Sequence, residues 1–316
     1  MSMENTALCY RQFGEPESVL QQETAIKAPL QPGDLRVQML MTPVNASDLI
    51  PITGAYRHRI TLPAIAGYEG VGRVIAAPDS AASLLGQRVL PLRGEGTWQQ
   101  YVDCPASMAI PVPDIVATPL AARAFINPMA AWLMLSLYPV QGKQVLLTAA
   151  GSDCGILLGQ WALRQGATAV YGIHRSAIHA ERLRGMGITA VAQQDIDSVR
   201  AIAATSDLAF DATGGELAQT ILGAMDKRAA FICYGLLSGQ SFTLQRHFPP
   251  MHWFHIRNHF EALNPQAWQA AFREIWPLLA ASQYSDARLL PFTDWQSALA
   301  HYRQAGRTYK PVLAFE

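Results

Sequence analysis

A chain of 316 residues, 50% hydrophobic and only 15% charged, is long enough for two ordinary domains and apolar enough to bury a core in each. Its 24 basic and 24 acidic residues cancel, which excludes the basic footprint of a nucleic-acid binder. No apolar run reaches the ~18 residues of a membrane span, and Met1-Ser-Met-Glu-Asn-Thr-Ala7 has neither a basic nor an apolar leader, so a cytoplasmic, non-membrane protein is expected.

From the N-terminus to Ala117 the chain reads as β-rich. Leu35–Met41 alternates as a half-buried strand, Ala66–Ile75 and Gln87–Leu92 are further strands punctuated by Gly and Pro, and Trp98–Val102 reads as an edge strand. Thr118 and Pro119 read as a helix N-cap and first helical residue, and Asn127-Pro128 opens a second helix that runs to Leu137. The four cysteines, Cys9, Cys104, Cys154 and Cys233, are scattered without a C-x-x-C pair and offer neither a disulfide framework nor a thiolate cluster for zinc.

From Gln144 the character changes. The strands Val145–Thr148, Ala169–Ile173, Leu208–Asp211 and Ala229–Tyr234 alternate with helices, notably Gly155–Gln165 and Glu216–Met225, and alternation of this kind implies a parallel, doubly wound sheet. Trp253–Phe260 reads as one more strand and Pro265–Ala280 as a helix. The segments Ala287–Phe292 and Thr308–Phe315 return to β character and are read as rejoining the first domain. The expected division is therefore 1–119 with 264–316, and 120–263.

The segment Gln144-Val-Leu-Leu-Thr-Ala-Ala-Gly-Ser-Asp-Cys-Gly155 and the helix and strand after it form one βαβ unit. Such a unit sets the free N–H groups and positive dipole of a helix N-terminus over a diphosphate, so a dinucleotide is expected on Ala150, Gly151, Ser152, Cys154 and Gly155. Of the Gly-x-Gly-x-x-Gly fingerprint only the last glycine, Gly155, is in place; Ala150 and Ser152 are small enough for close approach, and Asp153, a poor neighbour for an anion, must point away. NAD sites usually end the second strand in Asp or Glu, which holds the ribose 2′-hydroxyl. Here His174-Arg175-Ser176 stands instead, and Arg can bind a 2′-phosphate bidentately where a carboxylate would repel it. The cofactor expected is NADPH.

With these features in place, the chain resembles the medium-chain dehydrogenase/reductase superfamily over nearly its whole length. Val44-Asn-Ala-Ser-Asp48, Gly54-Ala-Tyr56 and Gly67-Tyr-Glu-Gly-Val-Gly72 resemble its zinc-independent branch, which contains trans-2-enoyl thioester reductases and quinone oxidoreductases. Ile126–Leu135, Ile173–Ser176 and Phe231–Gly239 look more like the enoyl reductases. The resemblance implies an α/β fold, with a GroES-like β-rich catalytic domain plus a Rossmann domain.

It also implies roles. Zinc-dependent members place Cys where Asn45 stands and His where Tyr68 stands, and an amide and a phenol are poor zinc ligands, so no metal is expected. Without a Lewis acid, reduction of an activated C=C bond is favoured over oxidation of an alcohol. Tyr56 falls where the enoyl reductases keep a catalytic tyrosine, able to stabilise a developing enolate. Asn45 and Asp48 would shape the nicotinamide end, Tyr234 and Gly235 would border the nicotinamide ribose, and Lys310 would lie on the cofactor diphosphate. Ala130 and Trp132 depart from the Thr and Tyr that the family usually shows after Asn-Pro.

Two constellations carry less. His252, His255 and His259 lack a carboxylate or Cys at ligand spacing and are not read as a metal site. Arg57-His58-Arg59 reads as a solvated basic loop, with attraction of an anionic CoA or carrier phosphopantetheine as the alternative. The aromatic group Trp253, Phe254 and Phe260 reads as sheet or dimer core, and the resemblance implies a homodimer. The leading expectation is an NADPH-dependent reductase of an α,β-unsaturated carbonyl, most like a 2-enoyl thioester. The rivals are an NADPH quinone oxidoreductase and, of another class, an NADPH-binding sensor without chemistry.

Overall fold

The structure, a computed structural model, describes residues 3–92, 94, 96–260 and 263–315. They form two compact units, one of Met1–Ile126, Asn264–Trp276 and Asp286–Glu316, the other of Asn127–Leu263 and Pro277–Ser285. The division thus lies at 126/127, where the sequence reading put 119/120, and 277–285, expected in the first domain, belongs to the second. The cause is a set of hydrogen bonds. Gln160 Nε2 donates to the Gln283 carbonyl at 2.8 Å, the Trp161 indole N–H donates to Ser282 Oγ at 2.9 Å, and Arg164 Nη1 donates to the Leu278 carbonyl at 3.2 Å.

In this second unit six parallel strands lie in the order Thr189–Ala192, Ala169–His174, Gln144–Leu147, Leu208–Asp211, Ala230–Cys233 and Met251–Trp253. Numbered along the chain the order is 3-2-1-4-5-6, the doubly wound arrangement whose ligand crevice opens at the carboxyl ends of the strands. Val145, Leu146 and Leu147 of the central first strand are wholly buried, as a strand covered on both faces requires. The Asp153–Arg164 helix follows it, with Ser152 as N-cap accepting from the Gly155 N–H at 3.1 Å.

Trp253–Phe260 is not a strand. Only Met251–Trp253 pairs, because the neighbouring strand ends at Cys233 and offers no further ladder; Arg257–Phe260 then turns into a short helix. The Thr189–Ala192 strand and the Ile196–Thr205 helix, which the sequence reading did not single out, complete the alternation.

Among the described residues of the first unit a seven-stranded sheet runs Asp286–Pro291, Tyr309–Ala314, Asp34–Pro43, Val71–Ala76, Arg88–Leu90 and Ile110–Pro111, with Tyr101–Pro105 also on Asp34–Pro43. Glu4–Tyr10 pairs with Leu20–Ile26 and Ala64–Ile65 in a smaller sheet. Leu35, Val37, Met39, Val74, Val89 and Val102 form one core, and Leu8, Ile52, Trp98, Trp295 and Leu313 belong to another.

Two expectations change here, at Trp98 and Thr118, and one is extended, at the C-terminal strands. Trp98 does not lie on an exposed edge; it is fully buried and its indole N–H donates to the Pro43 carbonyl at 3.2 Å, while the strand proper is Tyr101–Pro105. The C-terminal β segments are parallel to each other, a pairing that needs a crossover, and the Trp295–Arg303 helix supplies it. Thr118 is inside its short helix; Ala117 is the N-cap and the Thr118 hydroxyl accepts from Arg88 Nη1 at 3.0 Å. Among the described residues no helix is long and apolar enough to cross a membrane.

Candidate functional site

In the second unit the expected cofactor residues gather at the carboxyl edge of the parallel sheet. The chain leaves the first strand through Ala149, whose φ of 47° lies in the left-handed region, and Ala150 N–H then donates to the Ile173 carbonyl at 3.0 Å. That left-handed alanine costs on the order of 1–2 kcal/mol and marks the turn as one whose shape is imposed by its surroundings. Gly155 has the role expected of it. A Cβ there would stand 2.7 Å from the Ala149 carbonyl oxygen, so only glycine lets the helix begin directly on the strand end.

Gly151, expected at the diphosphate, has a steric role as well. The space above its Cα is occupied by the His179 ring, whose Cγ would lie 2.5 Å from a Cβ at that position. The glycine accommodates an imidazole that packs on the turn, a contact invisible to spacing rules because His179 comes from the short 3-10 segment Ala177–His179 after the second strand.

Asp153 does point away from the turn. It is buried, and its carboxylate accepts from the Ser285 hydroxyl, on the returning segment 277–285. Its position in the first helical turn also sets negative charge at the positive end of the helix dipole. Cys154 is buried, with Sγ 4.0 Å from the Asn127 carbonyl oxygen.

The flanking strand ends carry the remaining residues. His174 ends the second strand, is 6% exposed, and its Nδ1 has no hydrogen-bond partner among the described residues. It shares a strand face with Gly172, where a Cβ would be 2.9 Å from Ala150 Cβ, so the imidazole lies on the face that meets the turn. Arg175 is exposed and makes no ion pair among the described residues; Ser176 starts the 3-10 segment that carries His179.

On the other side, Thr148 Oγ1 donates to Asp211 Oδ1 at 2.6 Å and ties the ends of two strands together. Asp211 in turn accepts from the N–H groups of Thr213 and Gly214 at 3.1 and 2.9 Å, and burial pushes its carboxyl above the usual range. The Tyr234 N–H donates to the Asp211 carbonyl at 2.8 Å, but the Tyr234 hydroxyl is buried without a well-formed hydrogen bond among the described residues, and burial, then the nearby Cys154 and Asp211, raises the phenol well above its ordinary value. Gly235 packs on Ala212; a Cβ there would meet the Ala212 carbonyl oxygen at 2.9 Å.

Buried polar atoms are nearly always satisfied. Two orphans on the second and fifth strands, flanking the turn of the first at the ligand-binding edge, fit a dinucleotide that would complete them.

In the first unit a second cluster forms around Glu69, 1% exposed and not singled out from the sequence although it stands as a lone charge in Gly67-Tyr-Glu-Gly-Val-Gly72. Its Oε1 accepts from Asn45 Nδ2 at 2.6 Å, and its Oε2 accepts from the N–H groups of Phe125 and Ile126 at 3.1 and 2.8 Å. The Thr42 and Thr97 hydroxyls donate to its carbonyl at 2.6 and 2.8 Å. Asn45 is the N-cap of the Ala46–Ile52 helix; its N–H donates to Asp48 Oδ2 at 2.8 Å, while Asp48 Oδ1 accepts from the Tyr68 N–H at 2.9 Å.

Lys310, expected on the cofactor diphosphate, is 4% exposed and donates to Asn45 Oδ1 at 2.8 Å, because its strand Tyr309–Ala314 runs inside the sheet beside Asp34–Pro43. Desolvation, then the neighbouring Glu69 charge, pushes the Asp48 carboxyl up to about 7; desolvation also raises Glu69.

Tyr56 lies four residues past the end of that same helix, half-buried, where Gly54 with a φ of 92° turns the chain into the 3-10 segment Arg57–Arg59. The basic run is exposed, with the Arg57 guanidinium 5.8 Å from the Phe13 ring centre. The three histidines near the edge strand are engaged separately in part: the His252 ring lies 5.4 Å from Tyr138 and the His259 ring 5.1 Å from Phe254.

Residues 31–114 match the alcohol dehydrogenase GroES-like domain. A mitochondrial enoyl-[acyl-carrier-protein] reductase of Arabidopsis thaliana is 28% identical over 257 residues, 77% of this chain and 68% of that protein. The crystal structure of a candidate NADPH:quinone reductase from Bacillus thuringiensis is 31% identical, covers 99% of both chains and superposes with a TM-score of 0.92. A mutant form of the enoyl thioester reductase from Candida tropicalis superposes with a TM-score of 0.82, covering 99% of this chain and 100% of that one, at 20% identity, a likeness of fold.

Two outcomes are expected. Because the folded pKa of Asp48 is raised, the folded state holds more protons than the unfolded chain between the ordinary carboxylate range and about 7. Stability should therefore fall as pH rises across that window and level off above it, with Glu69 acting in the same direction. Urea titrations at pH 5 and pH 8 should show this fall, and it should shrink in Asp48→Asn. Gly151→Ala should cost about 1–3 kcal/mol through its clash with His179, and His179→Ala should recover most of that loss, read as a coupling in a double-mutant cycle of melting curves.

Proposed function

The chain belongs to the medium-chain dehydrogenase/reductase superfamily of oxidoreductases, and from that premise we propose that it reduces an activated C=C bond in an α,β-unsaturated carbonyl, most like a 2-enoyl thioester, with NADPH and without a metal. The observation that carries this reading is the state of Asn45. At the position where zinc-dependent members have a cysteine ligand, its amide donates to Glu69, and its carbonyl oxygen accepts from the Lys310 ammonium at 2.8 Å. An oxygen already bound to a buried cation is a poor ligand for a second one. That leaves chemistry which needs a hydride and a proton donor but no Lewis acid.

NADPH, when bound, supplies the hydride. Arg175, exposed and without an ion-pair partner among the described residues, would hold its 2′-phosphate, and the turn Ala150–Gly155 with the helix N-terminus behind it would bind the diphosphate. Tyr234 and Gly235 would border the nicotinamide ribose, the Tyr234 hydroxyl finding there the hydrogen bond it lacks among the described residues. Tyr56 would donate its hydroxyl hydrogen bond to the substrate carbonyl as enolate charge develops. The Ala46–Ile52 helix, held at its N-cap by Asp48 and Asn45, fixes the start of the loop that carries this tyrosine.

The 28% identity to an enoyl-[acyl-carrier-protein] reductase supports the thioester reading. The full-length 31% identity to a candidate NADPH:quinone reductase favours a second reading, quinone reduction with the same cofactor. A cytoplasmic location belongs to the same proposal, consistent with four free cysteines, as does a homodimer. The edge strand Met251–Trp253 supports the latter: Trp253 is 61% exposed and stacks on Phe242 at 5.8 Å, an apolar edge of the kind that pairs across a two-fold.

The function is tested by following NADPH oxidation with crotonyl-CoA, a longer enoyl-CoA and a soluble quinone in parallel. Turnover of the enoyl thioesters, lowered about 10²-fold or more in Tyr56→Phe, is expected. Turnover of the quinone alone would assign the second reading, and tight NADPH binding without any turnover would make the protein a cofactor-binding sensor. Multi-angle light scattering should give twice the chain mass for the wild type and a shift towards the monomer for Trp253→Lys; a wild-type monomer would end the dimer proposal.

A further inference from the structure

His174 is buried, and one of its ring nitrogens is without a hydrogen-bond partner among the described residues. The residue is 6% exposed, the nitrogen is Nδ1, and the histidine stands at the carboxyl end of the second of six parallel strands. Its main chain is fully engaged there: the strand pairs it with Ala192, and its carbonyl accepts from the Gln193 N–H at 2.9 Å. The backbone is thus fixed. A buried nitrogen left unpaired is costly and rare, so the orphan points to a ligand atom.

The position says which atom. The second strand ends where Rossmann sheets read the ribose 2′ substituent of the adenosine half. His174 shares its strand face with Gly172, which stands against Ala150 of the phosphate turn. A carboxylate at this place can only accept, which suits a 2′-hydroxyl and repels a 2′-phosphate. An imidazole nitrogen is different in kind: it accepts as the free lone pair of one tautomer and donates as N–H in the other.

Resting on the reading of this unit as an NADPH site, we propose that His174 Nδ1 is the second reader of the ribose 2′ position and sets a dual cofactor specificity. With NADPH it donates to the 2′-phosphate beside Arg175. With NADH it accepts from the 2′-hydroxyl. Arg175 supplies the preference for the phosphate, and His174 keeps the hydroxylated cofactor bound.

The test compares dissociation constants for NADPH and NADH, read from quenching of intrinsic fluorescence, in wild type, His174→Leu, His174→Asn and Arg175→Ala. Melting curves confirm that each variant is folded. Leu fills the buried space without a polar atom; Asn restores one near the Nδ1 position. His174→Leu should weaken NADH about fivefold to tenfold and NADPH by at least as much, His174→Asn should recover most of both, and Arg175→Ala should weaken NADPH about tenfold or more while leaving NADH unchanged. The ³¹P resonance of the bound 2′-phosphate should shift between wild type and His174→Leu, which a merely structural histidine would not cause. Folded His174→Leu that binds both cofactors as wild type does, with an unmoved ³¹P signal, overturns the proposal and leaves the NADPH reading standing. A wild type that binds neither cofactor overturns both.

Discussion

A single buried carboxylate organises the first unit. Glu69 accepts from the Asn45 amide on one oxygen and from the Phe125 and Ile126 N–H groups on the other, and its carbonyl is held by the hydroxyls of Thr42 and Thr97. These partners come from three distant stretches of the chain. A charge taken this far out of water is tolerated only when its lone pairs are occupied and a countercharge is near. Lys310, reached through Asn45, is that countercharge. Removing either end leaves an uncompensated buried ion, so the C-terminal strand, the Asn45 helix cap and the residues before Asn127 stand or fall together.

The second unit depends on satisfaction of the same kind, but left incomplete on purpose of geometry. Thr148 and Asp211 occupy each other's hydrogen-bonding capacity and that of the Thr213–Gly214 turn, which rigidifies the carboxyl edge between the first and fourth strands. Against that firm edge the unpaired atoms of His174 and Tyr234 stand out. A rigid edge with a few open valences is what pre-organised binding requires: the ligand completes hydrogen bonds without the protein having to order itself.

Much of this was legible from the residues. The alternation after Gln144 reads directly as a doubly wound sheet because each apolar run is too short for a helix and each intervening stretch has helical periodicity. The turn Ala150–Gly155 and the strand end His174-Arg175 were expected together at one edge, and the parallel sheet brings them to its carboxyl ends. What spacing could not show was contact across the chain. The His179 ring packed on Gly151 has no trace in the spacing of the turn. Lys310, expected on the cofactor diphosphate, is buried on a strand inside the sheet and donates to Asn45. Glu69 was read as part of a motif and not as a buried hub, since its partners Asn45, Phe125 and Ile126 are far away in the sequence. The presence of Asp153 in an anion-binding turn had no account in the sequence; Ser285, 132 residues away, gives it one.

That last contact bears on how the molecule can be taken apart. The helix behind the phosphate turn is held by 277–285 at Asp153, Gln160, Trp161 and Arg164. A contiguous fragment cut from 127 to 263 would contain every strand of the six-stranded parallel sheet and the turn and strand ends at its carboxyl edge. It would nonetheless expose the wholly buried indole of Trp161 and strip the carboxylate at the helix start of its hydroxyl. The nucleotide-binding unit is therefore a module in space and not in sequence. Grafting it elsewhere, or reducing it to a minimal domain, means carrying along a segment that the chain supplies only after it has begun to rejoin the other unit.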